Sequence, residues 1–177
     1  METQFTEKRK IIDIVKSNLK IIIATLFSFL ILFFVYLWIE FKADAKKTTL
    51  SENYIEAKIM LSQKKTNEAL DVLKKIIEEK DSTYSVLSLY LIIDQELEKD
   101  SKKILNYFDK VLSIGDLKNE DLDLVKLKKA IFISSYSNEE ELLSLLSPII
   151  NSDSTWKAQS IKFLADFYFS KEEYSKS

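Results

Sequence analysis

Histidine and cysteine are absent from this chain of 177 residues. Without histidine, the chain lacks the usual acid–base group near neutral pH and the commonest nitrogen ligand of metals. Without cysteine, it lacks a thiolate nucleophile, disulfides, thiolate zinc sites and a residue for lipid modification. We therefore expect no catalytic site, no metal site and no cofactor, and predict that the protein is not an enzyme. An enzyme that uses only carboxylates, serines and lysines is the alternative.

Glycine and proline occur once each, as Gly115 and Pro148. A chain so poor in turn-forming residues cannot build the many tight hairpins of an all-β fold, and its Leu, Ile, Lys and Glu content favours helices. The formal net charge of −2 creates no field that attracts a polyanion. The sequence predicts an all-α protein that binds neither nucleic acid nor a small-molecule substrate.

One long apolar run stands out near the N-terminus. Residues 21–39 contain no charged residue and would span about 28 Å as a helix, close to the hydrocarbon thickness of a bilayer. Tyr36 and Trp38 lie at the far end, where aromatic rings prefer the headgroup level. We predict a single transmembrane helix over 21–39, followed by a juxtamembrane linker over 40–50.

Basic residues are unevenly placed around this run. Residues 1–20 contain five, and residues 40–47 contain three. The bias predicts a cytoplasmic N-terminus and a soluble part on the opposite side of the membrane. The segment 1–20 also has apolar residues at helical spacing, which predicts either an amphipathic helix on the cytoplasmic headgroups or a plain extension of the anchor. These residues are Ile11, Ile12, Val15 and Leu19.

Two other interpretations of the apolar run remain open. A cleavable signal peptide could end at Ala43-Asp44-Ala45, although its apolar stretch would exceed the roughly 7–15 residues of a normal signal core. A buried core helix is the second alternative, and it fits poorly with nineteen uncharged residues that end in an aromatic pair.

Beyond the anchor, one apolar pattern occurs three times. The spacing of its four residues is identical each time, and the starts are 35 and 38 residues apart, the length of a helical hairpin. Residues at this spacing share one helical face. The three stripes are Leu70, Leu73, Ile76 and Ile77; Leu105, Phe108, Val111 and Leu112; and Leu143, Leu146, Ile149 and Ile150.

An amphipathic leading helix precedes each stripe, and polar breaks separate the helices. The leading helices are predicted at 54–63, 85–97 and 122–136, with a fourth at 156–169. The breaks within pairs, at 64–67, 98–101 and 137–140, carry side chains suited to cap the next helix. Longer breaks lie between pairs, at 78–83, 115–121 and 151–155. Residues 51–177 thus form a predicted repeat domain.

This pattern resembles the tetratricopeptide repeat, a hairpin of about 34 residues. The resemblance rests on Ala57 in the leading helix and on Glu68-Ala69-Leu70 at the start of the trailing helix. The usual proline after the trailing helix is absent, so the repeats are divergent. The expected fold is a transmembrane helix followed by a solenoid of about three and a half divergent tetratricopeptide-like hairpins. The fourth hairpin lacks its second helix. Either the chain is truncated at its C-terminus, or another structure covers the exposed side chains of Trp156, Phe163, Phe167 and Phe169.

The whole layout resembles the YfgM-type ancillary subunits of the bacterial SecYEG translocon. The likeness rests on the basic N-terminus, the span ending in aromatics, and the divergent hairpins with Thr-Tyr-Ser-Val-Leu-Ser-Leu-Tyr at 83–90. It implies a single-pass inner-membrane protein whose repeat domain lies in the periplasm and contacts the translocon and a periplasmic chaperone of the PpiD type. A tethered scaffold for envelope assembly or cell division, with the same fold, is the alternative.

Three further groups of residues carry candidate chemistry. Acidic residues after the only glycine could form a calcium loop, but they lack its ligand order, so we interpret them as a linker between repeats. Glu139, Glu140 and Glu141 point in different directions on one helix and favour its N-terminus. The aromatic residues of the repeats are at core spacing, although a concave surface could also use them to bind peptides. The acidic group is Asp116, Glu120, Asp121 and Asp123, and the aromatic group is Tyr84, Tyr90, Tyr107, Phe108, Trp156, Phe163, Phe167, Tyr168 and Phe169.

Overall fold

The structure, a computed structural model, describes residues 18–171. Within that range the protein is helical and has no strand, which confirms the all-α part of the predicted fold. The described residues form seven helices: α1 Leu19–Ser62, α2 Thr66–Glu78, α3 Tyr84–Asp94, α4 Ser101–Leu112, α5 Asn119–Ile133, α6 Glu139–Ile150 and α7 Lys157–Ser170.

The chain divides into two compact units, residues 1–48 and 49–177. In the first unit, α1 contains the whole predicted span 21–39 and continues beyond it. The segment 40–50, which we assigned to a linker, is therefore helical throughout. The predicted amphipathic segment at 1–20 lies outside the described residues as far as residue 17.

In the second unit, each helix from α2 to α7 packs against the next one along the chain, and α2 also contacts α4. Two apolar clusters form the core. The first extends from Leu50 and Ala57, in the last turns of α1, to Val125 in α5. The second joins α5, α6 and α7 and includes Leu127 and Leu146. Burial of these apolar side chains is the main favourable term in the folding of the unit.

The three trailing helices, α2, α4 and α6, bury equivalent positions. All four residues of the first stripe are buried, but Leu105, Leu112, Leu143 and Ile150 of the other two stripes are only half-buried. Three positions are buried in all three helices: the residue that precedes each stripe, and the second and third residues of the stripe. These positions are Ala69, Leu73 and Ile76; Ile104, Phe108 and Val111; and Leu142, Leu146 and Ile149.

Helix starts follow the predicted polar breaks, with two differences. Asp100 caps α4 by accepting a hydrogen bond from the Lys102 amide at 2.9 Å, and Asn138 caps α6 through the Glu141 amide at 2.9 Å. At the start of α2, no side chain caps the helix. Helix α5 begins at Asn119, three residues before the predicted start, because acidic residues in its first turn favour the helix N-terminus.

Helix ends use non-glycine residues in the left-handed region. Lys64, Lys80 and Glu96 have φ values of 62°, 52° and 50°, and each follows the end of a helix. The amide of Leu97 donates to the carbonyl of Ile92 at 2.9 Å, the bond of a Schellman turn. Helices α1, α2 and α3 thus end in a backbone conformation that usually favours glycine.

Candidate functional site

The apolar run of α1 is exposed to its surroundings on every side. Each described side chain from Ile23 to Thr49 is exposed, including the fourteen large apolar side chains of the run between Ile23 and Ile39. Within the described residues, one helix is long and apolar enough to cross a membrane, and it is this one. No described side chain of the run is buried within the protein, which disfavours the alternative of a core helix. An uninterrupted apolar surface of this kind marks a membrane or partner interaction site.

The apolar run contains few polar side chains, and one of them forms a hydrogen bond within the helix. The Thr25 hydroxyl donates to the carbonyl of Ile21 at 2.9 Å, which hides it from an apolar environment. At the far end, the Lys42 ammonium lies 4.3 Å from the centre of the Trp38 ring. The aromatic and basic groups predicted at the boundary of the span are therefore in direct contact.

In the second unit, polar and aromatic side chains of the leading helices meet on one surface. Tyr54 lies in the last turns of α1, Tyr90 and Asp94 in α3, and Asp121 and Lys128 in α5. We call these five residues the leading-helix surface. The Lys128 ammonium lies 4.8 Å from the Tyr90 ring centre and 3.5 Å from the Asp94 carboxylate.

The tyrosines of the leading-helix surface lie in an environment that disfavours their ionised form. Burial raises the pKa of Tyr90 well above its ordinary value, and the nearby carboxylates of Asp121 and Asp94 raise it further. Burial and the charge of Asp94 also raise the pKa of Tyr54. The Tyr90 hydroxyl is buried without a hydrogen-bond partner in the described structure.

The acidic residues after Gly115 are not brought together as one set. Asp116 accepts a hydrogen bond from Ser82 at 3.2 Å and so joins two successive repeats. A cleft of about 510 Å³ is lined instead by Glu120 and Asp123 of α5 and by Asp153 of the α6–α7 loop. Among the described residues, no group of three or more His, Cys, Asp or Glu is arranged to hold a metal ion.

Two of the three glutamates at the start of α6, Glu139 and Glu141, have recorded partners, and these partners differ. The amide of Glu141 is capped by Asn138, and the Glu141 carboxylate accepts a hydrogen bond from the Ser137 hydroxyl. Glu139 accepts a hydrogen bond from the Tyr168 hydroxyl at 2.8 Å. These bonds connect the start of α6 to the two residues before it and to α7.

The aromatic residues of the repeats divide between core and surface. Tyr107, Phe108, Phe167 and Tyr168 are buried, whereas Tyr84, Tyr90, Trp156 and Phe163 are half-buried. Phe167 lies in the second core cluster, which confirms the core packing that its spacing predicts. Phe169 is 63% exposed, and Tyr136, which the sequence did not single out, is 55% exposed.

Ion pairs connect successive repeats. Lys110 pairs with Glu78, Lys128 with Asp94 at 3.5 Å, and Lys129 with Asp109 at 2.6 Å. The first two pairs join residues 32 and 34 positions apart, close to one repeat. These three lysines therefore bridge different helices.

No protein-family model matches this chain, and no curated protein or solved structure is significantly similar to it.

Proposed function

We propose that this chain is a single-pass membrane protein with no catalytic activity, whose helical domain binds other proteins beside the membrane. The observation that carries the proposal is the apolar run of α1, which is exposed on every side over a length that matches a bilayer. In water such a surface would drive aggregation, and in lipid it is stable. The membrane bilayer is thus the first partner of the protein.

We further propose that the anchor is retained rather than removed as a signal peptide. The candidate cleavage site Ala43-Asp44-Ala45 lies inside α1, and the helix continues to Ser62. A helical peptide bond is poorly accessible to a protease because its backbone groups are already hydrogen-bonded along the helix. Mass spectrometry of the membrane-extracted protein tests this point. The mass of the full-length chain is expected, and the mass of a chain that starts at residue 46 would overturn the proposal.

For the second unit, we propose a solenoid of divergent tetratricopeptide-like hairpins. Three observations support it: the shared buried positions of α2, α4 and α6, the contact between α2 and α4, and the ion pairs between residues one repeat apart. The leading-helix surface is the proposed protein-binding face, because it combines half-buried tyrosines with charges of both signs. Tethering to the membrane raises the effective concentration of the domain near membrane-bound partners.

The resemblance to ancillary translocon subunits extends the proposal to partners and location. On that basis the domain lies in the periplasm of a bacterium, anchored in the inner membrane, and contacts the SecYEG translocon and a PpiD-type chaperone. The basic bias before the span supports the same orientation. A cysteine introduced at Lys118, which is exposed in the α4–α5 loop, tests the orientation. Labelling by a membrane-impermeant maleimide in intact spheroplasts is expected, and labelling only after lysis would reverse the topology.

Co-purification after mild detergent extraction tests the partners. Recovery of SecYEG subunits with the full-length protein is expected, and it should diminish when Tyr90 and Lys128 are replaced together by Ala. A matched control replaces the exposed residues Lys102 and Lys103 of α4 by Ala, which removes charge from a different helix. Recovery of envelope-assembly or division proteins without translocon subunits would support the alternative scaffold.

A further inference from the structure

Charged side chains just beyond the apolar run of α1 are sorted by helix face. At about 100° per residue, Lys42 and Lys46 lie within roughly 80° of Trp38 around the helix. Glu40 and Asp44 lie about 120° to 160° away from Trp38 on the other side. The first turns after the run thus have one basic, aromatic face and one acidic face.

This sorting works against an isolated helix. Lys42 and Lys46 are four residues apart, as are Glu40 and Asp44, so each face places like charges one turn from each other. Like-charge pairs at this spacing destabilise a helix in water. An anion bound between the two lysines would reduce the repulsion there, because it supplies a negative charge.

The geometry of Trp38 and Lys42 prepares this face for such an anion. The Lys42 ammonium is 4.3 Å from the Trp38 ring centre, so the ammonium and the indole N–H are two hydrogen-bond donors on one face, one turn apart. The Trp38 side chain is 58% exposed, and that of Phe41 next to it is 74% exposed. The Lys42 ammonium and the Trp38 indole both lie where the apolar run ends, which is the level of the lipid phosphates in a bilayer.

We propose that Trp38, Lys42 and Lys46 bind the headgroup of an anionic phospholipid, with the phosphate between the two ammonium groups and the indole N–H near it. A zwitterionic headgroup brings its own cation and competes with the lysines, so the face selects lipids with a net negative charge. The inference rests on the proposed membrane anchoring, and it adds a lipid preference that anchoring alone does not require.

Energy transfer from Trp38 to labelled lipids tests the proposal on the full chain. Trp156→Phe leaves Trp38 as the only tryptophan. This protein is reconstituted into vesicles of phosphatidylcholine and phosphatidylglycerol at a ratio of about 4:1, with a small fraction of either pyrene-labelled phosphatidylglycerol or pyrene-labelled phosphatidylcholine. We expect phosphatidylglycerol to be enriched about two- to fivefold around Trp38. The enrichment should fall at about 0.5 M salt because the Debye length shortens.

Two variants give the contrast. Lys46→Gln should reduce the enrichment, and Lys42→Gln with Lys46→Gln should abolish it. Lys47→Gln removes the same charge one residue along, but about 180° from Trp38, and should leave the enrichment unchanged. Equal transfer to both lipid probes, or an equal loss in Lys46→Gln and Lys47→Gln, would overturn the lipid site. An absence of transfer to either probe would instead overturn the membrane anchoring, and the lipid site with it.

Discussion

Asp94 and Lys128 are 34 positions apart in the chain, yet their carboxylate and ammonium groups lie 3.5 Å from each other. The pair joins α3 to α5, two leading helices of successive repeats. Ser82 and Asp116, also 34 positions apart, make a second link of the same kind at 3.2 Å. Because side chains one repeat apart are in contact, we expect a substitution in one repeat to change the stability of the next repeat.

A double-mutant cycle measures the Asp94–Lys128 link. Asp94→Asn and Lys128→Gln, singly and together, are expected to show a coupling free energy of about 0.2–1 kcal/mol, because both side chains are partly exposed and the pair is screened by water. Urea unfolding of the full-length protein in detergent, followed by circular dichroism, provides the free energies. The coupling should decrease at high salt. A coupling of zero at low salt would show that the contact contributes nothing to stability.

Two leucines of α6 test which face of the trailing helix is buried. Leu146 is fully buried and Leu143 is half-buried, although both belong to the same stripe in the sequence. Leu146→Ala should lower the free energy of unfolding by about 2–5 kcal/mol, since it leaves a cavity in the core. Leu143→Ala should cost less than half as much. Equal losses would mean that the stripe itself packs against the neighbouring helices, rather than the buried face formed by Leu142, Leu146 and Ile149.

Glu96 offers a stabilising substitution. Its backbone has a φ of 50°, where a Cβ atom is strained and glycine is not. Glu96→Gly should therefore raise the free energy of unfolding by about 0.5–1 kcal/mol. Gln95→Gly is the matched control: its φ is −99°, so it gains nothing from glycine and should lose stability through the greater freedom of the unfolded chain. A loss of stability in both variants would contradict the strain argument.

Tyr90 predicts a pH dependence at alkaline pH. The folded protein raises the pKa of Tyr90 by burial and by the carboxylates of Asp121 and Asp94. Between the unfolded pKa of about 10 and the higher folded pKa, the unfolded chain has lost a proton that the folded chain retains. Stability associated with Tyr90 is therefore complete below about pH 10 and is lost as the pH rises above it.

Tyr90→Phe isolates this contribution. At pH 8 the variant should be as stable as the original protein to within about 0.5 kcal/mol, because the hydroxyl that it removes has no hydrogen-bond partner in the described structure. Above pH 10 the variant should be the more stable of the two. Parallel urea titrations at both pH values measure the difference, and the other tyrosines and lysines contribute equally to both proteins. A difference that does not change with pH would contradict the raised pKa.

The amino-acid sequence by itself determined the helical class, the apolar run and the polar breaks between the helices of the second unit. These features depend on short-range chemistry: the near absence of glycine and proline, an uncharged stretch of membrane length, and capping side chains such as Asp100 and Asn138 that act on amides within three residues of themselves. The error at the start of α5 was also local, because Asn119 and the acidic residues after it suit a first helical turn as well as a loop.

Only the tertiary structure decided which part of each apolar face is buried. The stripes have identical spacing, yet Leu70 is buried whereas Leu105 and Leu143 are half-buried. Likewise, Phe167 enters the core and Phe169 two residues later does not. Periodicity defines an apolar face about 100° wide, and the side chains at its edges are buried or exposed according to where the neighbouring helices lie. That placement depends on contacts between residues far apart in the chain, such as Asp94 and Lys128, which no local pattern specifies.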